Sequence, residues 1–426
     1  MITAPVRTGI PRLLPADGQP RTDLDTHLTS LGPVPYTGRP GTLIQQVREA
    51  GLTGRGGAAF PVHRKLEAVA AARTGRPVAV GNAAEGEPAS RKDATLLLTA
   101  PHLVLDGLQL AAEAVGATRA ILYVREDLRT AARLEIHVSE RFACGLDRVA
   151  VEVVSAPARF LAGQESALAS AVSGAAALPR FTPPRVFERG VDRRPTLVQN
   201  VETLAHVALI ARYGPVWFRG AGQPDEPGTM LCTLHHVSGQ VMVAEAAIGT
   251  PLASLVDVSQ ATAVLAGGYH GTWIPAAQAS GLALSNASLR PLGASTGAGV
   301  LAALPANRCG LAETARIARY LAAESAGQCG PCRSGLPSIA AGLAELAGLT
   351  GRRPRPSVVA DLDRWSGLVE GRGACHHPDG TVRLVRSALK VFAAEVGRHQ
   401  QGRCSAPLGR PFLPVGPHTA TRTGRG

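Results

Sequence analysis

Residues Gly51 to Lys65 read Gly-Leu-Thr-Gly-Arg-Gly-Gly-Ala-Ala-Phe-Pro-Val-His-Arg-Lys. Gly54, Gly56 and Gly57 free the backbone to take positive φ and to approach a ligand closely. Successive free N–H groups in such a loop form an anion-binding concavity, and a helix that follows adds the partial positive charge of its N-terminus. Arg55 and Lys65 supply full charges at either end, and Phe60 offers a flat apolar face. These are parts for holding a flat, phosphorylated cofactor. Gly54-x-Gly56-x-x-Ala59 by itself matches a dinucleotide fingerprint only loosely, and a chain with 48 glycines has many such turns. The reading therefore depends on what recurs downstream.

Around that loop, helix and strand patterns alternate. Thr42 to Ala50 and Arg64 to Ala72 have helical spacing, and Pro77 to Val80 is a short apolar strand ending at Gly81-Asn82. A helix over Pro101 to Val115, a strand over Arg119 to Val124, a helix over Glu126 to Arg141 and a strand over Val149 to Val154 follow. This alternation predicts an α/β domain built on a parallel sheet, with ligands outside the carboxyl ends of the strands. Pro179 to Pro195 reads as loop, and Val201 to Tyr213 as helix. Short strands and glycine turns from Thr229 to Pro275 predict a small β-rich module. Helical periodicity returns from Leu311 to Val396, broken by an Arg/Pro loop at 351–356. The expected organisation is an extended N-terminal arm over 1–41, an α/β domain over 42–222, a β module over 223–298, a helical domain over 299–400 and a disordered tail over 401–426.

Four further constellations carry chemistry. At the end of a strand, Gly81-Asn82-Ala83-Ala84-Glu85-Gly86-Glu87-Pro88 places an amide and two carboxylates, suited to a heteroaromatic edge and to ribose or ribityl hydroxyls. A plain polar turn would read the same way. Phe160 to Ala167 opens a helix with Gly163, Gln164 and Glu165. Pro195 to Thr203 does so with Gln199, Asn200 and Thr203; either could be an ordinary cap. In Ser325 to Arg333, Cys329-x-x-Cys332, with Cys375 farther on, has the spacing of an iron–sulfur loop plus a distant thiolate. A redox pair or two buried thiols remain alternatives.

Composition narrows the function. The net charge of +12 is dominated by Arg, aromatics are only 4%, and no basic stripe interleaves with them. The charge suits anionic cofactors and acidic partner surfaces better than nucleic acid. Seven scattered cysteines do not form a disulfide framework. No apolar run is long enough to cross a bilayer and no secretory signal opens the chain, so a cytoplasmic protein, peripheral to a membrane complex through its partners, is expected.

Taken in order, the five constellations resemble the NADH- and FMN-binding flavoprotein component of respiratory complex I and its counterparts in NAD-linked hydrogenases and formate dehydrogenases. The resemblance covers about residues 42 to 397. The family's glycine loop appears as Gly54 to Lys65, its Asn-Ala-Asp-Glu-x-Glu-Pro segment as Asn82 to Pro88, and its Cys-Gly-Glu-Glu-Thr-Ala-Leu as Ala162 to Leu168. Its Pro-Thr…Asn-Val-Glu-Thr appears as Pro195 to Thr203, and its Glu-Ser-Cys-Gly-x-Cys-x-Pro-Cys-Arg as Glu324 to Arg333.

The resemblance implies a Rossmann-like FMN domain, a ubiquitin-like SLBB module and a helical bundle carrying a 4Fe-4S cluster. NADH would deliver a hydride to FMN, and the electrons would pass through the cluster to partner iron–sulfur or ferredoxin-like proteins, with no catalytic acid or base required. The matching positions are Gly54, Arg55, Gly56 and Gly57 for phosphate, and Lys65, Asn82 and Glu85 along the flavin. Phe60 and Glu87 would face the nicotinamide nucleotide. Gly163, Glu165, Asn200 and Thr203 would close the pocket, and Cys329, Cys332 and Cys375 would hold the cluster.

The chain also departs from the pattern. Ala84 replaces an Asp, Gln164 a Glu, Phe160 a Tyr, and Arg185 sits where an aromatic usually follows Pro-Pro. Ala326 stands where the first cluster cysteine belongs, which leaves a non-cysteine or exogenous fourth ligand, a 3Fe-4S form, or no cluster. His376 and His377 are better placed to substitute than Cys309 or Cys404, which lie outside the motif. An assembly component that keeps the fold without turnover is the alternative function.

Overall fold

The structure is a computed structural model. It describes residues 12–15, 18–72, 75–126, 128–181, 183–406 and 411–415. The chain divides into two compact units. The first comprises residues up to 86, 90–233 and 242–250; the second comprises 87–89, 234–241 and everything from 251 onward.

In the first unit, β1 (Val78–Ala83), β2 (Arg119–Arg125), β3 (Val151–Ala156) and β4 (Thr196–Asn200) form a sheet in the order β3-β2-β1-β4. Every pairing is parallel, as the strand–helix alternation predicts. Helices α1 (Leu24–Leu31), α2 (Pro40–Ala50), α3 (Val62–Ala70), α4 (Lys92–Thr99), α5 (Pro101–Val115), α6 (Leu128–Ala143), α7 (Glu165–Val172) and α8 (Val201–Arg219) accompany it. α5 starts at a proline in its first position, stops at Gly116 in the left-handed region, and is buried at all but one of its residues. Its one Asp, Asp106, is fully buried and is met by His27, Arg141 and Arg212, so α1, α5, α6 and α8 share one ionic hub.

Among the described residues, no single helix is long and apolar enough to cross a membrane. α4 and α5 pass that test only as a pair, and they are bent by 100° at the break between them.

The hairpin of β5 (Thr229–His235) and β6 (Val241–Ala247) lies mostly in the first unit. In the second unit β7 (Ala261–Ala266) pairs antiparallel with both β8 (Thr272–Pro275) and β9 (Val300–Pro305), accompanied by the one-turn helices α9 (Ala276–Ala279) and α10 (Asn286–Leu289). The helical bundle follows: α11 (Gly310–Ala323), α12 (Leu336–Leu346), α13 (Val358–Val369), α14 (His377–Val391) and α15 (Ala393–Gln400). Its core gathers Leu311, Leu336, Ile339, Leu343, Leu362 and Val385. Of the stretch 223–298 expected to form a β module, residues 223–233 and 242–250 fall in the first unit and 234–241 and 251–298 in the second.

Two expectations at the ends need correction. The arm over 1–41 is not simply extended, because α1 lies in it, capped by Asp23. In addition, the backbone N–H groups of Arg12, Leu13 and Leu14 converge at 2.8, 2.8 and 3.1 Å on one buried carboxylate oxygen of Glu245. In the tail, the described stretches 401–406 and 411–415 are each anchored by a buried residue, Ala406 and Leu413, rather than disordered throughout. Leu413 is buried, and Phe412 and Leu413 donate their N–H groups to Glu313. The rest of the expected tail lies outside the described residues.

Candidate functional site

The strand order contains a topological switch. The chain runs outward from β1 to β2 to β3, then returns to place β4 on the other side of β1. The connection from β1 to β2 through α5 packs on one face of the sheet and the return from β3 to β4 through α7 on the other, so the carboxyl ends of β1 and β4 mark the point where α/β folds bind ligands. Asn82 and Asn200 face each other there in register. Asn82 donates its amide to the Gly163 carbonyl at 2.8 Å and accepts from the Ala84 N–H. Asn200 caps α8 by accepting from the Glu202 N–H, and donates to Asp93 at 2.7 Å and to the Asn82 carbonyl at 3.4 Å. A Cβ at Gly163 would lie 2.6 Å from the Ala84 carbonyl oxygen, so this close approach requires glycine. Gln164 caps α7 through the Ser166 and Ala167 N–H groups, at 2.9 Å each.

The glycine loop reaches the same place. Gly51 ends α2 in the left-handed region, an antiparallel bridge joins Thr53 to Pro61, and Gly54 N–H donates to the Phe60 carbonyl. Between these anchors, Gly57 takes φ +106° and Ala59 φ +50°. A Cβ at Gly56 would meet only the Cβ of Asn200, at 3.4 Å, so bare backbone faces the switch point. Phe60 is 45% exposed, leaving a ring face open. Lys65 pairs with Glu165, bringing the first turns of α3 and α7 together. Thr203 accepts from the Arg55 N–H at 2.9 Å.

Arg55 is placed otherwise than a phosphate clamp would require. Its guanidinium is buried and donates to Thr53 Oγ1 at 2.9 Å and the Pro227 carbonyl at 3.3 Å. Burial lowers its pKa, against the pull of Glu202 and Glu226. The charge is turned into the fold, and Arg55 leaves the glycine backbone alone to face the switch point.

Sequence reasoning missed the charges beneath this surface. Lys92 is buried and pairs with Asp93 at 2.6 Å and Glu202 at 2.9 Å, with Asn200 Oδ1 at 3.3 Å. Against the downward push of burial, Asp93, Glu202 and Glu85 hold its ammonium above the ordinary value. Glu85 accepts from Ser90 Oγ and from the N–H groups of Asp93 and Ala94, closing the N-terminus of α4. Burial first, then Asp93, push Glu85 up to about 6. The available signal was Lys92-Asp93 heading the otherwise apolar run Ala-Thr-Leu-Leu-Leu.

Glu87 belongs to the second unit, where its carboxylate accepts from the N–H groups of Tyr269 at 2.7 Å and Ala89 at 3.2 Å. The three motif thiols also lie in that unit and influence one another. Cys332 sits in a π-helical turn, Pro331–Gly335, that runs into α12, and Cys375 precedes α14. Burial pushes Cys332 up to about 11 and raises Cys375. At Cys329 burial also pushes upward, but the N–H groups of Ala374 and Cys332 outweigh it and the thiol falls below its usual value. Of the two substitutes considered for Ala326, His377 is buried with both nitrogens engaged, at 2.8 Å from the Leu321 carbonyl and 3.0 Å from His270. His376 is fully exposed and lies 3.7 Å from Asp379.

The donor sets fit two cofactors. Flavin mononucleotide needs an anion site, a polar edge and an apolar face. The bare backbone above Asn200 is a cradle that a side chain would fill, with Phe60, Asn82 and the Lys65–Glu165 pair around it. Three thiols on a tight loop and a helix start fit an iron–sulfur site that lacks one protein thiolate.

Comparison with known proteins gives the class first. The description "Nuo51 FMN-binding domain" matches residues 47–209. "NADH-ubiquinone oxidoreductase-F iron-sulfur binding region" matches 312–399, which leaves Cys309 and Cys404 outside it. An FMN-binding region followed by an iron–sulfur region is the make-up of a flavin-linked electron-transfer protein.

Among curated relatives, the second of two NADH-quinone oxidoreductase-F proteins of Rhizobium meliloti is 31% identical, over 86% of this chain and 90% of that protein. The NADH-quinone oxidoreductase-F protein of Streptomyces coelicolor is 31% identical, over 88% of this chain and 86% of that protein. The chain therefore belongs to the NADH-quinone oxidoreductase-F family, as a divergent member. Among solved structures, an air-oxidized NAD+-reducing [NiFe]-hydrogenase superposes with a TM-score of 0.78 at 30% identity, covering 88% of this chain but 65% of that one.

Proposed function

We propose that this chain oxidises NADH at a flavin mononucleotide seated over the switch point and passes the electrons through an iron–sulfur site at Cys329, Cys332 and Cys375 to a partner electron-transfer protein. Family membership makes it an NADH dehydrogenase-type flavoprotein. The observation that carries the reading is the meeting of Asn82, Asn200, Gly163 and the bare backbone of Gly56 at the carboxyl edge of β1 and β4. The flavin, when bound, accepts a hydride and releases electrons singly, chemistry that needs alignment more than an acid or base. The chain's own part is to fix the ring and the phosphate. Gly54, Gly56 and Gly57 would present backbone to the phosphate. Lys65, Asn82 and Asn200 would orient the polar edge, and Phe60 would offer its open face to the nicotinamide nucleotide. Glu85 and the Lys92 cluster would hold that edge rigid from below.

The decisive experiment is to reconstitute the purified chain with FMN and add NADH anaerobically. Bleaching of the flavin band is the expected result, and the absence of both binding and bleaching would overturn the proposal. A second reading is motivated by Ala326: an assembly component whose cluster site is degenerate. Stoichiometric iron and sulfide with a cluster EPR signal after anaerobic purification would exclude it.

A further inference from the structure

A second set of metal-ligating side chains lies in the bundle's unit, apart from the thiol motif. Cys309 precedes the first residue of α11 and acts as its cap residue. Glu395 and His399 are one turn apart on α15, and Cys404 follows that helix. The Sγ atoms of both cysteines, a carboxylate oxygen of Glu395 and a ring nitrogen of His399 all lie within 4.8 Å of one another. Cys309 Sγ is 3.4 Å from His399 Nε2, and that nitrogen is 3.2 Å from Glu395 Oε1. Cys309, Glu395 and His399 are buried, while Cys404 is partly exposed at the mouth.

We infer that Cys309, Glu395, His399 and Cys404 form a structural zinc site. Two thiolates, one imidazole and one carboxylate are borderline-soft donors in the number a closed tetrahedral zinc site takes. Binding releases one proton from each thiol: two thiols and Zn²⁺ give two zinc–thiolate bonds and two protons. With two thiolates and the Glu395 carboxylate, the bound site carries one net negative charge. Arg398 already lies 2.7 Å from the other Glu395 oxygen and balances it. Glu395 is oriented from behind by the Ser405 N–H at 2.8 Å, the outer-shell support such ligands use. The ion would tie the start of α11 to the end of α15 and to the segment leading to the buried Ala406, joining the two ends of the bundle.

Metal analysis of the full-length chain, purified without chelator or histidine tag, tests this. About one zinc per chain is expected. Cys404→Ser should remove most of the zinc and leave iron unchanged. Cys329→Ser should lower iron and leave zinc. Because Cys309→Ser buries a polar change, Cys404→Ser at the partly exposed ligand is the primary variant. Cobalt(II) in place of zinc should show thiolate charge-transfer absorption that Cys404→Ser weakens. A chain without zinc, zinc retained in Cys404→Ser, or an intact mass showing a Cys309–Cys404 disulfide would each overturn the assignment. None of these readouts depends on flavin or NADH.

Discussion

Ala59 holds φ +50°, a region that costs a residue with a Cβ about 1–2 kcal/mol. Ala59→Gly relieves that strain but adds freedom to the unfolded chain, so a net gain of about 0.5–1 kcal/mol is expected. Urea midpoints at an unchanged m-value check it, and a lowered midpoint would show that the methyl packs favourably. Lys92 lies at the opposite extreme. Lys92→Met leaves Asp93 and Glu202 buried without their cation, and a loss of about 3–5 kcal/mol is expected by the same measurement. At Ala326, Ala326→Cys should raise iron and sulfide content if the three native thiols are otherwise arranged for a cluster. Unchanged iron would mean the site fails for another reason. Asn82, Gly163 and Asn200 were legible through the ordered match to the family pattern, because singly each reads as a polar turn or an ordinary cap. The inward turn of Arg55 was not legible, since sequence does not show that Thr53 and the Pro227 carbonyl wait beneath it.

The crossing of α5 and α8 is closer than side chains alone would allow. A Cβ at Gly107 would lie 1.9 Å from the Leu204 carbonyl oxygen, so Gly107→Ala must push two helix backbones apart. Gly116, at the end of α5, has φ +65° and open space around it. Gly116→Ala should therefore cost about 1 kcal/mol, whereas Gly107→Ala should cost at least about 3 kcal/mol or abolish folding. Thermal midpoints of the two variants, compared side by side, test the difference. The alternation of strand and helix was readable because β1, β2 and β3 are apolar runs bounded by turns. β4 escaped notice because its five residues pass into α8 without a loop, so the period changes mid-phrase. α4 escaped because an ion pair heads it and Pro101 follows close behind.

For the whole molecule, acid sensitivity follows from neutral imidazoles in the interior. Burial lowers His102 to about 4. Its folded pKa lies below the unfolded value, so its contribution is complete above pH 6.5 and is lost as pH falls from 6.5 toward 4. That loss is on the order of 3 kcal/mol by about pH 4. Glu85 works in the opposite sense: its raised pKa makes the fold gain stability as pH falls from about 6 through 4.5. His102→Gln, which keeps a donor for the Thr22 carbonyl, should flatten the stability profile between about pH 7 and 4.5 relative to the parent. An unchanged profile would place the sensitivity elsewhere. The two-unit division was not legible, because the β module reads as one stretch of short strands while residues 223–233 and 242–250 of it fall in the first unit.

The interleaving at residues 87–89 bears on the order in which the protein is made. Glu87 finds the Tyr269 amide only 182 positions later in synthesis. Ala89 likewise waits for His235, 146 positions on, to cap its carbonyl. While the nascent chain is still on the ribosome, the Glu87 carboxylate lacks the Tyr269 amide and the Ala89 carbonyl lacks His235 even after every strand of the parallel sheet has been synthesised. Residues 87–89 therefore take their final partners only after the second half of the chain has been translated.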